Sequence, residues 1–179
     1  MCGVLAQLVE KETAFQAAMT NLNGFIRHAH LDKPLATRLR AYFRYHHGRT
    51  DITDFTDLLD KMSPDLRGAV AISMNSGWIA NVPYFRGCSK SMLIRLSFIF
   101  EEYVYPPSEV LLRPGEMVSR MFILRRGLVM LVPQHRKFSV RTSGNLIGEE
   151  IFWATKPTTT LAMTMTYVDV QQARRGGLG

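Results

Sequence analysis

The sequence predicts an α+β protein: an all-helical first half, then an antiparallel β-roll of jelly-roll type. Three observations carry this. Apolar residues recur with a period near 3.6 as far as about Phe100, and in short alternating runs after it. Helix start signals, at Asp32, Ser63-Pro64-Asp65 and Ser89, fall in the first half. Gly115, Gly127 and Gly144, with Pro106, Pro107, Pro114 and Pro133, break the second half at the close spacing of hairpin turns.

From Val4 to His28, Leu5, Leu8, Phe15, Met19, Leu22, Phe25 and Ile26 mark the first helix. Its apolar residues have few partners in so small a unit, so they are expected to meet a neighbouring chain. Asp32 caps a second helix, with Leu35, Leu39 and Phe43 as one apolar stripe and Arg38, Arg40 and Arg44 on its other faces. His46 and His47 suit the negative end of its dipole. After the break "GRTDIT", Thr53 or Asp54 caps a short helix through Phe55, Leu58 and Leu59. Ser63 and Pro64 then start a helix carrying Leu66, Val70 and Met74, and Ser89 opens one from Met92 to Phe100. Strand candidates follow in "EYVYPP", "EVLLRPG", "RMFILRRG", "LVMLV", "FSV" and "TTLAMTMTYVDV". The tail "QQARRGGLG", with three glycines, is expected to fray.

The chain has 179 residues, 46% of them apolar, enough for one large domain or two small ones. The net charge is +7. Arg113, Arg120, Arg125, Arg126, Arg136, Lys137 and Arg141 face a single acid, Glu116, in that interval. Such a stripe fits nucleic acid, an acidic lipid surface, or simply the solvated face of a sheet. Interleaved stacking aromatics are absent from it, so no nucleic-acid partner is expected. Cys2 and Cys88 lack metal-ligand or disulfide spacing and fit a reducing compartment. No apolar run reaches the roughly 18 residues of a membrane span, and no signal peptide is expected. The opening "MCGVLAQLVEKE" reads as the tail of a helix whose membrane part lies elsewhere. None of the five histidines sits in a nucleophile or metal motif, so neither an enzyme nor a bound metal is expected.

Four stretches carry a family resemblance: "FQAAMTNLNGFIRHAHLDKPLATRLRAYFRY", "SPDLRGAVAISMN" and "NVPYF" in the first half, and "VYPPSEVLLRPGEMVSRMFILRRG" in the second. Together they resemble the C-linker and cyclic-nucleotide-binding domain of tetrameric cation channels: cyclic-nucleotide-gated, hyperpolarisation-activated and ether-à-go-go-type potassium channels. The resemblance runs from Cys2 to about Gln171. It implies a helical C-linker over residues 1–82 and a cyclic-nucleotide-binding-like roll over 83–179. Pro107, Glu109, Arg113, Gly115, Met121, Phe122 and Gly127 fit the family's run without gaps, while Ser108 and Val118 stand where glycine is usual.

The resemblance also implies a ligand site. In the family a Phe-Gly-Glu entering a short helix cradles the cyclic phosphate and ribose; here it is Ile147-Gly148-Glu149, followed by Glu150. A helix start offers N–H groups and partial positive charge to an anion. Gly148 permits close backbone approach, and Glu149 can accept from a ribose hydroxyl. Acids in a first helical turn are favourable without any ligand too. The family then places an arginine nine residues after the glutamate, and a threonine next. Here Thr158 and Thr159 occupy those places. Lys156 stands two residues early, before Pro157. Losing a charge-assisted hydrogen bond removes roughly 1.5–3 kcal/mol, about ten- to a hundredfold in affinity. Arg141 would substitute only if it pointed at the ligand, and the alternation Phe138, Val140 argues that those two face the core instead.

In the family a long lid helix follows the roll; the nine residues after Val170 are too few and too glycine-rich to form it. The chain therefore reads as a piece of a longer protein. The expected function is a cytosolic regulatory and assembly module of a cation channel, closest to the potassium-selective ether-à-go-go type, with a degenerate pocket and no obligate cofactor. Cyclic AMP or cyclic GMP would be weak ligands. Partners would be like channel subunits in a homo- or heterotetramer, held at the membrane through a transmembrane region outside this segment. The alternative is a soluble cyclic-nucleotide-responsive regulator like a kinase regulatory subunit, which the long linker helices disfavour.

Overall fold

The computed structural model describes residues 2–47, 61–79, 82–152 and 155–174. The chain divides into two compact units, Met1–Asp54 and Phe55–Gly179, so the expected boundary between residues 82 and 83 falls inside the second. The helix expected through Phe55, Leu58 and Leu59 lies outside the described residues.

In the first unit, α1 (Cys2–His28) and α2 (Lys33–His47) are joined by a short turn. Asp32 caps α2 as expected, its Oδ1 accepting from the Leu35 N–H at 3.3 Å. The helices run antiparallel, because α2 contacts α1 in reverse order. Ala36 packs with Leu22 and Ile26, Arg40 Nε donates to Asn23 Oδ1 at 2.8 Å, and His47 stacks on Phe15 with ring centroids 3.9 Å apart. The expected stripe on α2 needs correction. Leu35 and Phe43 are exposed, and the buried contact is made by Ala36 and Leu39. A small side chain at Ala36 lets the two helices approach closely, and that turns Leu35 and Phe43 outward. Arg40, expected on a face away from the stripe, is part-buried and bonded to Asn23.

The second unit opens with α3 (Pro64–Ile79), a 3-10 turn (Pro83–Phe85) and α4 (Lys90–Ile99). Proline occupies the first position of α3, and Ser89 caps α4 by accepting from the Met92 N–H. The next residues form strand β1 (Glu101–Tyr105), so the change of period near Phe100 is where helix gives way to sheet. Then come β2 (Val110–Leu112), β3 (Arg120–Arg126), β4 (Val129–Pro133), β5 (Ser139–Arg141), β6 (Leu146–Ile147), β7 (Thr160–Thr164) and β8 (Val168–Arg174). They form two four-stranded antiparallel sheets, ordered β1-β8-β3-β6 and β2-β7-β4-β5. Among the described residues no strand precedes Pro83.

One core joins the sheets and helices. Trp78, Leu96 and Phe100 from the helices share it with Phe122 and Val170 of the first sheet and Val129 and Ala162 of the second. Trp78, Phe85 and Phe100 meet edge-on at 5.4–6.2 Å between ring centroids, the favoured geometry for aromatic quadrupoles. Two expectations about the last strands are corrected. "TTLAMTMTYVDV" is two strands, broken at Met165-Thr166, where Thr166 Oγ1 accepts from the Leu128 N–H at 3.0 Å. And Gln171 to Arg174 do not fray: they complete β8, paired to β1 and β3, with Gln171, Gln172 and Ala173 buried. Backbone pairing on both sides holds a stretch whose composition alone reads as a tail. No helix among the described residues is long and apolar enough to cross a membrane.

Ser108, which stands where the family has glycine, has φ +66°. Its turn is braced by buried Thr164, whose Oγ1 donates to the Pro106 carbonyl at 2.6 Å and accepts from the Glu109 N–H at 2.8 Å. A left-handed L-residue costs roughly 1–2 kcal/mol, part of which glycine returns as unfolded-state entropy. Ser108→Gly is therefore expected to stabilise the fold by about 0.5–1 kcal/mol in urea unfolding; a loss of stability would show that the serine hydroxyl matters more than the strain.

Candidate functional site

The site is built around the turn Arg113-Pro114-Gly115-Glu116. The Glu116 N–H returns to the Arg113 carbonyl at 3.2 Å, and Gly115 has φ +87°, as the third position of a type II turn requires. Thr158 is clasped to this turn from both sides. Its N–H donates to the Glu116 carbonyl and its carbonyl accepts from the Gly115 N–H, each at 2.9 Å. The Thr158 side chain is buried, and its Oγ1 accepts from the Thr160 N–H at 3.2 Å. Beside it lies a cavity of about 160 Å³, with Arg113, Glu116, Ser119, Arg120 and Thr158 in its wall.

Two cations therefore line the cavity that holds Thr158. Neither was singled out as a ligand residue in the sequence: both belong to the basic run, and Arg113 also fits the family's run of turn and strand residues. The "RPGE" turn was the available signal for Arg113, since a turn of that type fixes where its first residue sits. Nothing local marks Arg120, which reaches the cavity from the start of β3. Burial pushes the Tyr105 phenol above its ordinary value, and the Arg120 guanidinium beside it works in the opposite direction. The Tyr105 hydroxyl donates to Gln172 Oε1 at 2.5 Å.

The remaining site residues are spread around this cavity rather than within its wall. Ile147 is a core residue, paired with Phe122 across β6 and β3. Glu149 and Glu150 are half-buried and lead a single 3-10 turn, Glu149–Phe152, rather than an α-helix. Thr159 is exposed, its carbonyl accepting from the Gln134 N–H at 3.2 Å. Lys156 is exposed. Arg141 is exposed on β5 opposite buried Val129. The companion expectation, that Phe138 and Val140 face the core, is corrected: they are 67% and 42% exposed, and Val140 lies opposite Met130 rather than Val129. Period-2 alternation separates two faces without saying which is inside, and apolar Phe138 and Val140 were a false guide. The basic run is also not one stripe. Arg113 and Arg120 line the cavity, Arg125 lies 3.6 Å from Glu102, and Arg136 and Lys137 sit in the β4–β5 turn.

Gly148 has φ +80°, and a Cβ there would lie 2.5 Å from the Arg120 carbonyl oxygen. Its close approach is thus to β3, and that contact seats the 3-10 turn. Gly148→Ala is expected to destabilise the protein by about 2 kcal/mol or more, from left-handed strain plus a backbone clash. A melting curve equal to wild type would show that the turn can move away from β3 freely.

No family model matches the chain. Relatives match nearly all of it. It is 23% identical over 177 residues, 98% of the chain, to the voltage-gated inwardly rectifying potassium channel KCNH6 of Gallus gallus, and 24% over the same length to KCNH7 of Mus musculus. It is 24% identical over 152 residues, 83% of the chain, to the cyclic nucleotide-gated channel beta-3 of Homo sapiens. The chain spans 15–19% of the length of these relatives. In sequence it resembles potassium channels and cyclic nucleotide-gated channels, and its fold, helices followed by two antiparallel sheets, is consistent with a cyclic-nucleotide-binding domain of such channels.

Proposed function

We propose that the chain is a cytosolic regulatory and assembly module of a cation channel, potassium-selective in kind, whose nucleotide pocket is degenerate. The observation that carries the channel reading is the end-to-end match to potassium channels over 98% of the chain. Its role is to bind and assemble, without catalysis. Like subunits would associate through the helices of the first unit, where Phe25, Leu35 and Phe43 are exposed, and a membrane region of the longer protein would hold them in place.

The pocket reading rests on Thr158. A threonine there leaves a cyclic phosphate without the guanidinium that would meet it bidentately. Its own Oγ1 already accepts a backbone N–H. Arg113 and Arg120 line the same cavity and supply some positive field. Cyclic AMP and cyclic GMP would therefore bind weakly, with dissociation constants in the high micromolar range or worse, as an order of magnitude.

Calorimetric titration of wild type and Thr158→Arg with both nucleotides tests this. The substitution is expected to strengthen binding roughly tenfold or more, with the melting temperature showing that the fold is kept. Tight binding by the wild type would overturn the degenerate reading and point to Arg113 or Arg120 as the working cation. No gain in a folded variant would show that position 158 is not where the phosphate sits.

A further inference from the structure

The outward face of the second sheet is apolar. Val140 lies opposite Met130, Met130 opposite Met163, and Val132 opposite Leu161. The alternate residues Val129, Ala162 and Thr164 are buried inside. Met130, Val132, Leu161 and Met163 are half-buried and do not belong to the core cluster, whereas their neighbour Leu131 packs against it. The solvent face of an antiparallel sheet is ordinarily polar. This one is apolar, and it runs out to Phe138, 67% exposed, at the end of the β4–β5 hairpin.

The hairpin turn beside Phe138 is cationic. His135, Arg136 and Lys137 are all exposed there, and no acid occurs between Leu128 and Gly148. Neither Arg136 nor Lys137 makes an ion pair among the described residues. An exposed aromatic tip on an apolar face, with cations beside it and no acid among them, is the pattern of a surface that enters an interface between apolar and anionic phases.

We propose that the β4–β5 hairpin docks on an anionic lipid surface. Phe138 and Val140 enter the boundary of the acyl region, and Arg136 and Lys137 lie among the headgroups. Charge complementarity favours a bilayer over an acidic polypeptide. Headgroups offer negative charge on every side of the tip, and the acyl layer accepts Phe138 without a shaped pocket. A polypeptide would need an acidic rim and an apolar socket in one arrangement. The proposal stands apart from the nucleotide pocket, since the cavity is lined from β2, the 113–120 segment and Thr158.

The test is sedimentation of the full chain with vesicles of phosphatidylcholine alone and of phosphatidylcholine with 30% phosphatidylserine. Soluble poly-glutamate serves as a competitor. Binding is expected to the anionic vesicles only, and to fall steeply as salt is raised, because the cations act through a screened field. Phe138→Ser should weaken it roughly tenfold through lost apolar burial. Arg136→Gln with Lys137→Gln should weaken it roughly tenfold or more, since each cation near such a surface is worth about a factor of five. All three side chains are exposed, so these variants should melt with the wild type. In Phe138→Trp, fluorescence should shift to the blue on anionic vesicles relative to the wild-type signal. The proposal is overturned by unchanged binding in the variants, by no binding to anionic vesicles, or by an unshifted tryptophan. It is equally overturned if poly-glutamate displaces the chain while Phe138→Ser binds normally, which would make the partner an acidic polypeptide.

Discussion

Strand β8 is the constraint on which the second unit depends. It lies between β1 and β3, so both of its edges are paired. Six of its seven residues are buried, from Val168 to Ala173. Three of them are polar: Asp169, Gln171 and Gln172. Burying such groups is costly unless they are bonded, and Gln172 takes the Tyr105 hydroxyl from the neighbouring strand. These contacts fix one register, because a slip would carry Val168 and Val170 off the core and leave the glutamine unsatisfied. The part of the candidate site that belongs to the first sheet is positioned through this strand. It pairs with β3, β3 pairs with β6, and β6 leads directly into Gly148. Arg120, in the cavity wall, sits opposite Arg174 at the last pair of the β3–β8 ladder.

A consequence is that the cavity and the 3-10 turn are held by structure rather than by a ligand. Gly148 is pressed on the Arg120 carbonyl, and Thr158 is tied to the Gly115–Glu116 turn by two backbone bonds. A site of this kind keeps its shape without its ligand.

The helices and strands were legible in the sequence where the signal is local. Asp32 and Ser89 mark helix starts because capping is a matter of one or two hydrogen bonds to the next turn, and Pro64 does so because its fixed φ and missing N–H suit a first helical position. The switch of period found the helix-to-sheet change at Ile99 and Glu101. What stayed hidden is set by distant partners. "QQAR" is a strand only because Glu101, Glu102, Phe122 and Met121 lie beside it, about fifty to seventy residues earlier. The orientation of Phe138 and Val140 depends on which face of β4 is inside, which their own alternation does not reveal. Ala36 defines the α1–α2 contact by being small, and a hydrophobic stripe gives no weight to smallness. At the site, counting from Glu149 led to Thr158, which lines a cavity, but the cavity's arginines arrive from a turn and from another strand.

The most direct test of the central role of β8 is a pair of deletions read by thermal unfolding and near-ultraviolet circular dichroism. Removing residues 175–179 leaves β8 whole; removing 171–179 cuts it after Val170. The expected result is native-like cooperative unfolding for the shorter deletion and loss of the cooperative transition for the longer one, because β1 and β3 then lose their common partner. A longer deletion that still unfolds cooperatively at the wild-type temperature would contradict the dependence of the roll on its last strand.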